Sequence, residues 1–121
     1  MKFYYKDKLI RTSKNHQYTH AVIDITNGEV KGCRTSITAA QQIINSEING
    51  CEEVIHNAKA ALVALSQGKT GYHVKDGRRT WYCKFDPKWH NETVLNEDIR
   101  IYTEAIEKVK QNWKIVELEE R

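Results

Sequence analysis

Two groups of residues in this chain carry the side chains needed to grip a phosphorylated aromatic molecule. In one, Arg78 and Arg79 are followed at once by Trp81 and Tyr82, with Trp89 and Asn91 close behind and Arg100 further on. In the other, Arg11 and Ser13 lie in the run Arg11-Thr12-Ser13-Lys14, with the imidazoles of His16 and His20 next to it. Guanidinium forks pair with phosphate, aromatic faces stack on bases, and an asparagine reads a polar base or ribose edge. For each residue taken singly there is a plainer reading. Trp81 and Phe85 then face a core, with Tyr82 and the arginines on the solvent side of a strand.

Catalytic signatures are not found. The chain has no G-x-S-x-G, no H-E-x-x-H, no P-loop and no paired-glycine dinucleotide fingerprint. His16 and His20 are four apart, the spacing of two metal ligands on one helix face, but they fall in a stretch that reads as loop and strand, where that spacing loses its meaning. Cys33, Cys51 and Cys83 are widely separated and form no CxxC, so they read as reduced, partly buried thiols. Cys83 sits within a strand pattern with no base near it in sequence. The expectation is a binding protein with no catalytic residues, no metal and no cofactor.

The elements that must position these groups are legible from periodicity and punctuation. Phe3-Tyr4-Tyr5 and Leu9-Ile10 flank Lys6-Asp7-Lys8 as a short hairpin. Tyr18 to Ile25 and Glu29 to Cys33 flank Asn27-Gly28, which favours a type I′ turn. Thr35 or Ser36 caps a helix running to Gln67, with Gly68 as its stop. Apolar residues fall at Ile37, Ala40, Ile44, Ile48, Cys51, Ile55, Ala58, Leu62 and Leu65, a stripe of near-heptad spacing that only Gly50 and its neighbouring asparagines weaken. Gly71 to Lys75 and Arg79 to Phe85 form a third hairpin around Asp76-Gly77. Asn96, followed by Glu97 and Asp98, starts a second helix along Ile99, Tyr102, Ile106, Val109 and Trp113. Trp113 to Leu118 reads as a last strand or as the helix end. The order predicts an α+β fold: N-terminal antiparallel β-hairpins, one long helix, a further β-hairpin, a second helix and a short final strand.

At 121 residues the chain reads as a single domain, 1–121, with one proline and no linker-like stretch. Apolar residues make up 40% and charged residues 29%, ordinary globular usage that argues against long disorder. The net charge of +3 is milder than that of a duplex-binding domain, and it permits an anionic ligand without demanding one. No apolar run reaches the ~20 residues that span a bilayer. Met1-Lys2-Phe3-Tyr4-Tyr5-Lys6 lacks the apolar middle of a signal peptide. The expected location is the cytoplasm. A helix of about 30 residues extends roughly 45 Å, whereas a compact chain of this length has a radius of gyration of about 14 Å. An overhanging apolar stripe needs a partner, so the expectation is a dimer or higher homo-oligomer through the helix 36–67, with a monomeric helical hairpin kinked at Gly50 as the competing reading.

The opening Lys2-Phe3-Tyr4-Tyr5-Lys6 … Leu9-Ile10-Arg11-Thr12-Ser13-Lys14 … His16 … Tyr18-Thr19-His20-Ala21-Val22, the middle Lys75-Asp76-Gly77-Arg78-Arg79 and the tail Trp113-Lys114-Ile115-Val116-Glu117 resemble small phage and prophage proteins of Firmicutes. Within that group the sequence is similar to the phage anti-Thoeris signal-sponge family, and the similarity covers most of the chain. The resemblance implies a non-enzymatic, dimeric or larger counter-defence protein in the host cytoplasm. Such a protein sequesters cyclic ADP-ribose isomers made by bacterial TIR-domain sensors, and some members also hold cyclic oligonucleotides of CBASS defence. The site residues named above rest on their chemistry and not on that family's contacts. Two other readings stand beside it, ahead of a fourth, an enzyme acting on nucleotides. One is an inhibitor of a host defence protein such as a CRISPR effector, using its helices or the acidic Glu117, Glu119 and Glu120. The other is a small single-stranded nucleic-acid binder using Arg78, Arg79, Trp81 and Trp89.

Overall fold

A computed structural model describes all 121 residues. The fold is α+β, with two helices and seven strands in the expected order and an eighth, two-residue strand after them. The strands are β1 (Lys2–Tyr5), β2 (Lys8–Thr12), β3 (His20–Asp24), β4 (Glu29–Arg34), β5 (Gly71–Asp76), β6 (Arg79–Lys84), β7 (Trp113–Glu117) and β8 (Glu119–Glu120). The helices are α1 (Ile37–Ser66) and α2 (Glu92–Asn112). The strands make three antiparallel sheets, ordered β2-β1-β8, β4-β3-β7 and β5-β6. The chain divides into two compact units, one of Met1–Ile48 with Lys108–Arg121 and one of Asn49–Glu107. Both helices contribute residues to each unit.

In the first unit β3 is the central strand, and its two faces have different covers. Val22 is fully buried with Ala40, Ile44 and Val109, and Ile43, Ile48, Trp113 and Ile115 pack around them. Ala21, Ile23 and Cys33 form the other cluster, under Tyr5, Ile10, Tyr18 and Val116. This is period-two alternation with both faces apolar, so β3 reads His-Ala-Val-Ile-Asp without a solvent-facing position in its middle. Phe3, also fully buried, meets Tyr18 edge to face with ring centres 5.4 Å apart.

The β3–β4 connection differs from the expected type I′ turn. Asp24 pairs with Glu29 across a four-residue loop, and among those four only Gly28 is left-handed, at φ 72°. Asp24 Oδ1 accepts from the Thr26 amide at 2.9 Å, and Asn27 Oδ1 accepts from the Glu29 amide at 2.8 Å. Two local side-chain turns therefore outcompeted a two-residue reversal. Further along, the register slips between Val22 and Ile23, leaving Lys31 as the extra residue of a β-bulge.

α1 runs unbroken through Gly50. Its start is capped as expected, with Ser36 Oγ accepting from the Ala39 amide at 3.1 Å. It closes in a Schellman arrangement, with Lys69 N donating to the Ala64 carbonyl and Gly68 N to that of Leu65, and Gly68 at φ 70°. α2 begins earlier than the Asn96 start predicted. Asn91 is its cap, its Oδ1 accepting from the Val94 amide at 3.0 Å, and Leu95 inside the first turns is buried. Apolar Val94 and Leu95 had no partner visible in the linear pattern. They belong to the helix because Leu95 packs with Ala58 and Ala61. Trp113 onward is a strand, since pairing with β3 satisfies its backbone in register.

In the second unit Ala58, Ala61 and Leu95 form the core, with Leu62, Leu65, Tyr72, Phe85 and Ile99 packed against it. The β5–β6 hairpin turns on Gly77 and Arg78, with Gly77 at φ 60° and Asp76 paired to Arg79. Asn57 clamps it from α1, donating to the Lys75 carbonyl at 2.8 Å and accepting from the Lys75 amide at 2.9 Å. Ala40, Ile44 and Ile48 of the predicted α1 stripe in the first unit, and Ala58, Leu62 and Leu65 in the second, are thus covered by the chain's own strands and second helix. Of its nine residues Ile37 is the one left largely exposed, at 58%. No helix is long and apolar enough to cross a membrane.

Candidate functional site

The first unit carries a concavity of about 600 Å³ beside the bulge of β4. Lys31, Arg34 and Trp113 line it together with the α1 side chains Gln42, Ser46 and Glu47. Each is placed by a local feature of the fold. The bulge re-aims Lys31, whose Nζ stands 5.0 Å from the centre of the Trp113 ring. Trp113 is the first residue of β7, paired with Asp24, and its ring rests on the Val22–Ile44 cluster. Arg34 ends β4, and its Nη1 donates to the Cys33 carbonyl at 2.7 Å. Gly32 between the two cations keeps the floor low. A Cβ there would lie 2.8 Å from Ile43 Cδ1 and 3.3 Å from Arg34 Nη1.

The electrostatics suit an anion with a flat ring. Lys31 is paired with Glu29 at 3.1 Å, but Glu29 is mostly exposed and such a pair contributes at most about 1 kcal/mol. A phosphate can therefore displace it. Gln42 and Ser46 offer neutral hydrogen bonds, and Glu47 offers an acceptor for an exocyclic amine.

The residues singled out in the sequence are spread over both units. In the first, Arg11 is exposed and holds its guanidinium 4.9 Å from the centre of the Tyr18 ring. Burial pushes the nearby Cys33 thiol up, against an opposing pull from the Arg11 charge. Ser13 is engaged through its backbone, its carbonyl accepting from the Met1 ammonium at 2.9 Å. His16 lies in a loop against Tyr18 and lines a second concavity with Lys14, Gln17 and Thr35. His20 opens β3, with Nδ1 2.8 Å from Thr19 Oγ1.

In the second unit, Arg78 is at the hairpin tip and Arg79 opens β6, both exposed. Trp81 and Tyr82, 45% and 50% exposed, are successive strand residues and so point to opposite faces. Tyr82 lies at 2.9 Å from Thr70 Oγ1 and lines a concavity with Val63 and His73. Trp89 lines a different one, with Tyr72 and His90. Asn91 is engaged at both ends, as the α2 cap and as donor to the Pro87 carbonyl at 2.9 Å. Arg100 is held by Glu97 and, at 2.8 Å, by Glu104. The hydrogen bond to Arg100 lowers the Glu97 carboxyl, and that to Glu97 raises the guanidinium. His16, Tyr82 and Trp89 therefore line three separate concavities, and Arg100 is committed to its own helix.

Sequence reasoning passed over Lys31 and Arg34. A signal was present: Gly32 inside a strand pattern marks a bulge or a close approach, and a bulge beside a cation re-aims it. Trp113 falls in sequence at the end of the second helix's apolar stripe or the start of a last strand, and its partner across the sheet is invisible in the linear pattern. No family model, no curated protein and no solved structure matches this chain.

Proposed function

We propose that the protein is a non-enzymatic signal sponge of the phage counter-defence kind, binding a cyclic nucleotide immune signal without cleaving it. In this reading it acts in the host cytoplasm on a cyclic ADP-ribose isomer, with cyclic oligonucleotides as a further ligand class. The observation that carries the reading is the convergence of Lys31, Arg34 and the Trp113 ring on one concavity. Two cations are matched to the pyrophosphate, the indole to the adenine, and Glu47 to the exocyclic amine. Membership of the anti-Thoeris sponges is itself part of this proposal. Self-association belongs to this proposal as well. Because the chain itself covers the inner stripe of α1, pairing would use the outward Val63, 55% exposed, and the concavity beside it.

The test is to incubate purified protein with cyclic ADP-ribose, remove free ligand, heat the complex and identify what is released by mass spectrometry. Intact cyclic ADP-ribose released from the wild type, and none from the Lys31→Gln/Arg34→Gln double variant, is the expected result. A cleaved product, or equal capture by the double variant, overturns the reading. Light scattering at micromolar concentration checks the assembly, where a clean monomer mass removes that part.

A second reading has one observation of its own. Arg78 and Arg79 adjoin two exposed aromatic residues, Trp81 and Tyr82, on the β5–β6 hairpin, a pattern suited to single-stranded nucleic acid. A labelled oligonucleotide retained with a steep salt dependence would favour it.

A further inference from the structure

The concavity of about 310 Å³ in the second unit is not accounted for by that function. Its floor is apolar, from Ala58 and Leu95, and its walls include the rings of Tyr72, Trp89 and His90. Two of these rings, Tyr72 and His90, are held in place. Tyr72 stacks on Phe85 with centres 5.6 Å apart and an interplanar angle of 16°, and His90 stands edge-on to Tyr72 at 5.7 Å. His90 Nδ1 accepts from the Asp86 amide at 2.8 Å, which sets the ring's orientation. The remaining lining residue that matters is Asp98, on α2 and partly buried.

Asp98 is the unusual member. The molecule's salt bridges involve Lys31, Arg100 and Arg121, and none reaches Asp98. A carboxylate beside aromatic faces and over an apolar floor repels anions and attracts cations. Lys88 Nζ stands 5.2 Å from the Trp89 ring centre, and a cationic ligand on that ring would displace this exposed side chain. Trp89 is 59% exposed, so one wall is open for entry.

We propose that this concavity binds a small organic cation of the methylated-ammonium class, seated against Trp89 and Tyr72 with Asp98 as counter-charge. Aromatic faces attract such a cation through the ring quadrupole, and its methyl groups bury against Ala58 and Leu95 where a hydrated ammonium would lose its water. The volume matches a small-molecule site. Inorganic cations are disfavoured, because one carboxylate alone supplies too few oxygen ligands.

The experiment titrates the full chain with choline, and separately with its neutral isostere 3,3-dimethylbutan-1-ol, at constant ionic strength, following the Trp89 indole N–H by NMR. A saturable shift with choline, at least about tenfold tighter than with the alcohol, is expected. Asp98→Asn should weaken choline about tenfold and leave the alcohol unchanged, and Trp89→Leu should weaken choline as read at the backbone amides of α2. Equal binding of the two probes, no saturable shift, or unchanged affinity in both variants overturns the proposal. Retention of cyclic ADP-ribose by Asp98→Asn keeps this outcome separate from that of the sponge reading.

Discussion

The Lys31 ammonium stands 5.0 Å from the centre of the Trp113 ring, one residue re-aimed by the bulge of β4 and the other opening β7. Both flank β3, so the sheet order β4-β3-β7 brings them together. The pair makes a basic, flat-walled corner out of residues distant in sequence.

If that corner holds the ligand, its charges set the affinity. Lys31→Gln should lower cyclic ADP-ribose capture about tenfold, ~1.4 kcal/mol. Glu29→Gln, which frees Lys31 from its carboxylate partner, should raise it. Neither change should shift Tm by more than about 3 °C, because Glu29 is mostly exposed and Gln keeps most of the Lys31 stem that packs beside Trp113. Calorimetric titration with melting curves reads both effects, and a weaker Glu29→Gln complex would contradict the arrangement.

Asn91 serves as a helix cap, and a cap can be separated from a ligand contact. Asn91→Ala should cost about 1 kcal/mol in denaturant unfolding. Asn91→Asp keeps the acceptor for the Val94 amide, places a negative charge at the positive end of α2, and should recover most of the loss. Both variants should capture ligand as the wild type does. Loss of capture in the well-folded Asn91→Asp protein would instead mark the side chain as a contact.

Gly71 opens β5 where there is no room for a side chain. A Cβ there would overlap the Cys83 carbonyl oxygen and lie 2.7 Å from the Tyr82 ring. The first obstacle is backbone and does not yield as a side-chain tip does. Gly71→Ala should therefore destabilise by about 2 kcal/mol or more and raise hydrogen exchange across residues 71–84. The Gly50→Ala control, with nothing within 4 Å of its Cβ, should stabilise α1 by about 0.5–1 kcal/mol.

Burial raises the Tyr72 phenol, with added repulsion from Cys83 and Asp98. The folded protein therefore holds this proton to higher pH than the unfolded chain, whose phenol titrates near ~10. The resulting stability is complete below that value and is lost as pH rises through the folded one. Tyr72→Phe should flatten the fall in urea midpoint between about pH 9 and 11 relative to the wild type. Parallel curves for the two proteins would rule this out.

The gains and misses of sequence reading follow from range. Ser36 and Gly68 bound α1 because caps act over three to five residues, and both make the hydrogen bonds foreseen for them. The acids after Asn96 mark it as the α2 start, yet Asn91 holds that role, since Leu95 needs the helix to reach the Ala58–Ala61 core. The apolar stripe of α1 was correctly periodic, but periodicity does not say what covers it. Here the cover, within each unit, is the chain's own strands and second helix.

By itself the amino-acid order determined the α+β sequence of elements, the capped ends of the long helix and the chemical types available for binding, because each depends on local propensity and short-range hydrogen bonds. Tertiary structure decided which of those groups meet. The pairing of β4 and β7 with β3, with a one-residue slip in the β3–β4 register, brought Lys31 over Trp113, and His16, Tyr82 and Trp89 came to line three different concavities. Register, pairing order and burial are collective properties of segments far apart in the chain, and no window along it contains them.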